Sequence, residues 1–349
     1  MKCARLTDSY AGCYNFSMDC ESVEKLMTKC RLCPRKCGAD RWDGETGVCG
    51  VPADIYAGRA MLHHWEEPCI SGTEEDKTDG GAGAVFFSGC VLKCVYCQNY
   101  DLSHVRHNGK IPGKRISVER LAEIFLELQE EGANNIDLVT PTQYIPQIAE
   151  ALRIDGHNVH HPGHSGEEQK FGRRRLTIPV IFNCGGYESA DALRLLEGLV
   201  DVYLTDFKYM DHEAARKYSA AEDYPERAKE ALAEMARQCP ETIFSENGLI
   251  QRGIIIRHLV LPGMVHNSRE TVRYIYETYG DSVWLSLMNQ YTPFGAAAEH
   301  FPELGRKVTK REYDAVVDYA LDLGVENAYI QEGATQKESF IPSFNGEGV

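Results

Sequence analysis

Seven of the thirteen cysteines fall into two tight groups whose spacing suits metal-binding thiolates. The first is Cys90-x3-Cys94-x2-Cys97. Three thiolates on one short loop can hold three corners of a cubane iron–sulfur cluster and leave one iron open to an outside ligand, whereas a cluster that only carries electrons takes four. The same three can hold zinc, completed by a remote His or Cys. The second group, Cys30-x2-Cys33-x3-Cys37-x11-Cys49, brings four thiolates. They suffice for a structural zinc or a second 4Fe-4S cluster, and spacing does not choose between them. The CPRKCG and GVCG turns supply the glycines that a metal loop needs. Cys3, Cys13, Cys20, Cys69, Cys184 and Cys239 have no motif around them and read as small buried apolar side chains or surface thiols. His157, His160, His161 and His164 resemble a metal tract in composition alone and read as part of a solvated loop.

The elements that must position these thiols are legible as well. Six β-like runs lie at 83–89, 135–140, 177–183, 200–207, 254–261 and 283–290, with helix-like segments between them. Several are nearly continuous apolar runs, the pattern of parallel strands covered on both faces. Ser117 can cap a helix whose Val118, Leu121, Ile124, Phe125 and Leu128 share one face, with Gly132 at its end. Such alternation implies a parallel sheet, either doubly wound or a partial barrel, because six units are fewer than the eight of a closed one. Chemistry then belongs at the carboxyl ends of the strands. That rim takes Gly89 and Cys90, Thr140 to Thr142, Asn183 to Gly186, Asp206 to Lys208, Pro262 and Gly263, and Asn289 to Tyr291.

Two regions flank the core, and the expected division is 1–79, 80–292 and 293–349. The first is cysteine-rich and irregular, ending in a polar linker at 71–83. The last holds a helix with a Thr309–Glu312 capping box, an apolar face of Tyr313, Val316, Val317, Ala320 and Leu321, a stop at Gly324, and a short strand at 327–331. Residues 153–176 read as a polar insertion.

At 349 residues the chain buries a core without disulfide staples, and its odd cysteine count suits a reducing compartment. The amino-terminal stretch has no signal-peptide pattern, and no apolar run approaches the ~18 residues of a membrane span, so a cytoplasmic location is expected. A net charge of -15 argues against nucleic acid as a partner. The one dense basic run, RRR at 173–175, reads as a solvated loop.

The stretch FFSGCVLKCVYCQN at 86–99 resembles the signature of the radical S-adenosylmethionine (SAM) superfamily, CxxxCxxC with an aromatic residue before the last cysteine. The arrangement is similar to the branch of pyruvate formate-lyase-activating enzymes. CRLCPRKCG at 30–38, NCGGYES at 183–189, DFKYMD at 206–211, RHLVLPG at 257–263 and LSLMNQYTPFG at 285–295 extend the likeness over most of the chain. The resemblance implies an α/β fold, a partial (β/α)6 TIM barrel with the cysteine-rich extension before it and a helix–strand appendage after it. It implies a 4Fe-4S cluster on Cys90, Cys94 and Cys97 whose open iron takes the amino and carboxylate groups of SAM, with Tyr96 against the adenine. Asp206 and Lys208 then approach the methionyl and ribose moieties, and Asn183 with Gly185 and Gly186 forms the turn after the third strand. His258 and Asn289 are polar rim residues for which a buried, hydrogen-bonded structural role serves equally well. One departure stands out. Activating enzymes carry Gly-Gly-Glu after the second strand to hold the SAM amino group, whereas this chain has LVTPTQY at 138–144, where Thr140 and Thr142 offer carbonyls and hydroxyls.

The expected reaction is reductive cleavage of SAM to methionine and a 5′-deoxyadenosyl radical that abstracts hydrogen from a substrate. The electron would come from a flavodoxin or ferredoxin type reductant, since cluster potentials reach about -700 mV. The resemblance points to a glycyl radical enzyme as the substrate, and the missing Gly-Gly-Glu to another protein, a peptide or a small molecule. A non-catalytic iron–sulfur or zinc scaffold is the reading from a different class.

Overall fold

A computed structural model describes residues 26–72, 80–105, 110–157, 175–293, 295–331 and 342–349. Cys3, Cys13 and Cys20, the linker at 73–79, Arg173 and Arg174, and His160, His161 and His164 lie outside the described residues.

All six expected strands form: β2 (Ala82–Phe87), β4 (Asn135–Val139), β5 (Val180–Cys184), β6 (Val202–Asp206), β8 (Ile250–Leu259) and β9 (Trp284–Met288). They pair in parallel in that order, and the short last strand β10 (Ala328–Ile330) adds in parallel beside β9. A two-residue β7 (Ile243–Phe244) pairs antiparallel with β8. The other edge corrects the reading of 1–79 as irregular. β1 (Ile55–His63) pairs antiparallel with β2, and β3 (Lys114–Ile116) follows it, so the sheet runs β10-β9-β8-β6-β5-β4-β2-β1-β3 and stays open. A bulge between Ala57 and Arg59 breaks the alternation that would have revealed β1. It centres on Gly58, where a Cβ would lie 2.5 Å from a Leu102 methyl carbon. This is an open, largely parallel partial barrel.

Helices α1 (Val118–Glu130), α2 (Ile145–Ile154), α3 (His212–Ser219), α4 (Tyr224–Gln238), α5 (Val265–Tyr279) and α6 (Lys310–Leu323) join and flank the strands. Ser117 caps α1 as expected, its Oγ accepting from Arg120 N at 3.1 Å. Thr309 and Glu312 form the capping box of α6, and Gly324 ends it with φ +93°. Leu321 departs from the expected buried face of α6 and is 57% exposed. No described helix is long and apolar enough to cross a membrane.

The register sorts the strand residues into two faces. Leu138, Phe182 and Tyr203 pack with the helices in the main core. Asp137, Asn183, Asp206, Arg257 and Ser286 share the other face, since Asp206 pairs with Arg257 and Arg257 with Ser286. Below them Ile181, Val202, Leu204 and Ile255 form a second apolar cluster with Cys69 and Ile70, from the segment that follows β1.

Candidate functional site

Parallel pairing places the carboxyl ends of β2, β4, β5, β6, β8 and β9 on one rim, and the three-cysteine loop begins there directly after β2. Gly89 opens the loop at φ +86°, and a Cβ on it would meet Val51 Cγ1 at 2.8 Å and the Cys49 carbonyl at 2.9 Å. Only glycine fits that turn. Burial and the nearness of Cys94 and Cys97 push the Cys90 thiol up to about 12, and burial with Cys94 pushes Cys97 up to about 11. Cys90 and Cys97 are therefore neighbours of Cys94, and their own thiols stay protonated until a metal displaces the protons.

Donors surround these sulfurs. The amides of Leu92 and Lys93 point at Cys90 Sγ at 3.4 and 3.5 Å. Ser219 donates its hydroxyl to Cys94 Sγ at 3.0 Å. Tyr209 lies 2.9 Å from Ser219 Oγ, and Tyr96 lies 2.6 Å from the Tyr209 hydroxyl. Because each hydroxyl has one proton, the chain must run from Tyr96 to Tyr209 to Ser219 to Cys94. Such donors suit an ionised thiolate and raise the potential of a cluster bound to it. Tyr209 and Ser219 carried no sequence signal, because the chain closes only when α3 folds over the loop.

Asp206 and Lys208 face each other, Nζ to Oδ2 at 2.5 Å, both largely buried. Burial pulls the Lys208 amine down, but Asp206 and Cys94 outweigh it and hold it well above the usual range. Asn183 lies on the inner face and donates to Asp137 Oδ2 at 3.2 Å. Gly186, at φ +80°, lets its turn approach the neighbouring strand end, where a Cβ would lie 2.1 Å from the Asp206 carbonyl. Gly185 faces Leu92 of the cysteine loop and Lys208. Thr140 adopts φ +58° and its amide donates to the Asn183 carbonyl at 2.9 Å. The Thr142 hydroxyl is engaged elsewhere, donating to Glu188 Oε1 at 2.9 Å. Burial raises that Glu188 carboxyl to about 7. Gln143 braces the same loop, its amide nitrogen bonding the carbonyls of Ser88, Gly89 and Thr140.

His258 is fully buried between the Phe207 carbonyl and Ser268 Oγ, and burial lowers it to about 4. Asn289 bonds Gln331 beyond β10. His157 corrects the solvated-loop reading: it is buried, with Nε2 2.9 Å from Asp201 Oδ2.

The feature that sequence reasoning passed over is ionic. Arg257 Nε donates to Glu67 Oε1 at 2.8 Å, and its NH2 group contacts both Glu66 and Glu67. His63 lies 3.7 Å from Glu66. Burial and Glu66 push the nearby Asp137 carboxyl well up, and its Oδ1 has no hydrogen-bond partner. This cluster fills the inner face next to Asp206.

The sequence pattern of the Radical SAM superfamily matches residues 84–275, more than half of the chain. The chain belongs to the radical SAM superfamily. A 27% identical relative, an uncharacterized protein of Methanocaldococcus jannaschii, aligns over 313 residues, 87% of this chain and 78% of that protein. Among solved structures, Streptococcus suis SuiB bound to S-adenosylmethionine is 13% identical, covers 70% of this chain and 48% of its own, and has a TM-score of 0.44. The FeFe-hydrogenase maturase HydG is 14% identical, with 68% and 47% covered and a TM-score of 0.41. The chain spans about half the length of these solved structures. As a radical SAM protein it takes a 4Fe-4S cluster and SAM, and the grouped thiols with their donors fit such a cluster.

Asp206 offers a direct test of the rim. If Asp206 holds SAM, Asp206→Asn should weaken SAM binding by about 1–3 kcal/mol, the scale of a charged hydrogen bond lost in a site, with cluster content unchanged. Unaltered affinity together with a lower melting temperature would leave Asp206 as the partner of Lys208 alone.

Proposed function

We propose that Cys90, Cys94 and Cys97 hold the 4Fe-4S cluster, and that this radical SAM enzyme abstracts hydrogen from a loop of a partner polypeptide. The observation that carries the reading is the thiol loop at the carboxyl end of β2, with Ser219, Leu92 and Lys93 aimed at its sulfurs. Held by Cys90, Cys94 and Cys97, the cluster would supply the one-electron reductive cleavage of SAM from which hydrogen abstraction follows. The chain's own groups orient the cofactor. Lys208 and Asp206 suit its carboxylate and its hydroxyls or ammonium, and Tyr96 carries the aromatic face for the adenine. With Thr142 engaged by Glu188, the backbone carbonyls of Thr140 to Thr142 remain as acceptors for the SAM amino group.

The substrate reading follows from what fills the inner face. Arg257 with Glu66 and Glu67 occupies the space beside Asp206, so a hydrogen donor arrives over the strand ends, as a loop of another chain can. A glycine α-carbon of a glycyl radical enzyme is the leading donor. LVTPTQY in place of Gly-Gly-Glu favours a second reading, a different protein or peptide. We also place a second metal centre at Cys30, Cys33, Cys37 and Cys49, where burial and the other three thiols together hold the Cys33 thiol up at about 12.

Anaerobically reconstituted, reduced protein should convert SAM to 5′-deoxyadenosine. Incubation with polypeptides encoded beside it should yield a trapped protein radical by electron paramagnetic resonance. A glycyl radical spectrum supports the first reading and another carbon-centred radical the second. A colourless protein that yields no 5′-deoxyadenosine would be a scaffold.

A further inference from the structure

We propose that Cys30, Cys33, Cys37 and Cys49 hold an iron–sulfur cluster that is the electron gateway to the Cys90–Cys94–Cys97 cluster, charged by an acidic one-electron carrier protein. The proposal deepens the reading above and rests on it for the second acceptor.

The four thiols line one small hollow together with Arg41, Val91 and Gln143. Arg41 is 1% exposed, its guanidinium donates to the carbonyls of Val51 and Pro52 and bonds the Cys30 thiol, and among the described residues it has no carboxylate salt bridge. A buried cation without a counter-charge is costly. Thiolates around an anionic cluster would supply that charge. The backbone contact with the Cys90 loop, Cys90 N to the Cys49 carbonyl at 3.3 Å, points to a redox-active cluster over a redox-inert zinc ion.

The coupling between the groups is short. The Cys90 amide donates to the Cys49 carbonyl at 3.3 Å, so one hydrogen bond joins the backbones of two ligand residues. Arg35, from the CRLCPRKCG loop, donates to the Val91 carbonyl at 2.9 Å and to the Ser219 carbonyl at 2.8 Å. Ser219 in turn donates to Cys94 Sγ at 3.0 Å. The loop of one group is thereby clamped onto the loop of the other.

Access runs in the same direction. Cys94 and Tyr96 are buried, whereas Cys37 is exposed. Lys29, Arg31 and Lys36 are exposed around it, in a chain of net charge -15. Two acids of the same region are turned onto local amides, Asp40 onto Asp43 N and Glu45 onto Asp40 N. A carrier with an acidic face matches this patch. One electron passes from the reduced carrier to the first cluster and then to the second. Each donor returns to its oxidised form, and no bond or proton moves.

The test uses anaerobically reconstituted full-length protein, reduced either by flavodoxin hydroquinone, the acidic carrier, or by dithionite. Wild type should bind about twice the iron of Cys33→Ala, one 4Fe-4S cluster more. Freeze-quench electron paramagnetic resonance should show the ratio of flavodoxin-driven to dithionite-driven reduction of the second cluster falling at least about tenfold in Cys33→Ala. Lys36→Glu, at an exposed side chain, should slow flavodoxin-driven reduction several-fold, an effect that shrinks at high salt. Unchanged ratios in both variants, or zinc in place of the extra iron, would overturn the gateway. A protein that passes the electron but makes no 5′-deoxyadenosine would uphold the gateway and overturn the activity proposed above.

Discussion

Cys94→Ala should reduce 5′-deoxyadenosine formation to background. Cys94 is 6% exposed and is the middle of the three thiols, the one whose sulfur takes the Ser219 hydroxyl. Without it two thiols remain on the loop, too few to hold a cubane by protein ligands. Changes in groups that merely orient a metal ligand cost about 10–100-fold, so losing a ligand outright should cost more than that. The backbone has its own anchors, since Val95 N donates to the Tyr218 carbonyl at 2.9 Å and Cys97 N to the Cys94 carbonyl at 3.0 Å. The variant should therefore fold and keep SAM turnover at the level of unreconstituted protein. Iron content and chromatographic quantitation of 5′-deoxyadenosine check this, and turnover at the wild-type rate would remove the loop from the chemistry.

Arg257→Met should destabilise the fold by about 3–5 kcal/mol at neutral pH, the cost of leaving buried charges without their partner. Glu66 and Glu67 are 11% and 7% exposed at their side chains, and Arg257 is 12% exposed. In the wild type, burial raises the Glu67 carboxyl, but Arg257 outweighs burial and holds it below its usual 4.5. That contribution is fully present above 4.5 and is lost as pH falls through the lowered value. In the variant the sign reverses. Burial then acts on Glu67 without the opposing Arg257 charge, its carboxyl moves up, and the deficit should be largest at neutral pH and shrink as the solution is acidified through the raised value. Urea unfolding at pH 7 and pH 5 measures both halves of the expectation. A loss of under about 1 kcal/mol at pH 7, within the range of exposed pairs, would mean that water reaches the cluster freely.

The six central parallel strands, the cysteine loop and the helix caps at Ser117 and Thr309 were legible because each is written within a few neighbouring residues. Apolar runs of five to ten residues find their place in a sheet, Thr309 and Glu312 stand three apart on one turn, and Cys90, Cys94 and Cys97 share one loop. The strand β1 escaped because its bulge and Gly58 cancel the alternation that marks a strand, and it is stabilised by partners in β2 and β3.

From the residue pattern alone came a parallel, open α/β sheet, its catalytic rim, and a three-thiolate loop with Asp206 and Lys208 near it. Folding decided which polar groups are free. Thr142 meets Glu188 46 residues away, Ser219 meets Cys94 across 125, and Arg257 meets Glu67 across 190. Cys49 meets Cys90 only because β1 brings the first cysteine loop over the second. The reason is physical: a side chain's chemistry belongs to its own residue, whereas its burial, its partners and its charge balance are set by whichever distant segments the packed chain brings against it.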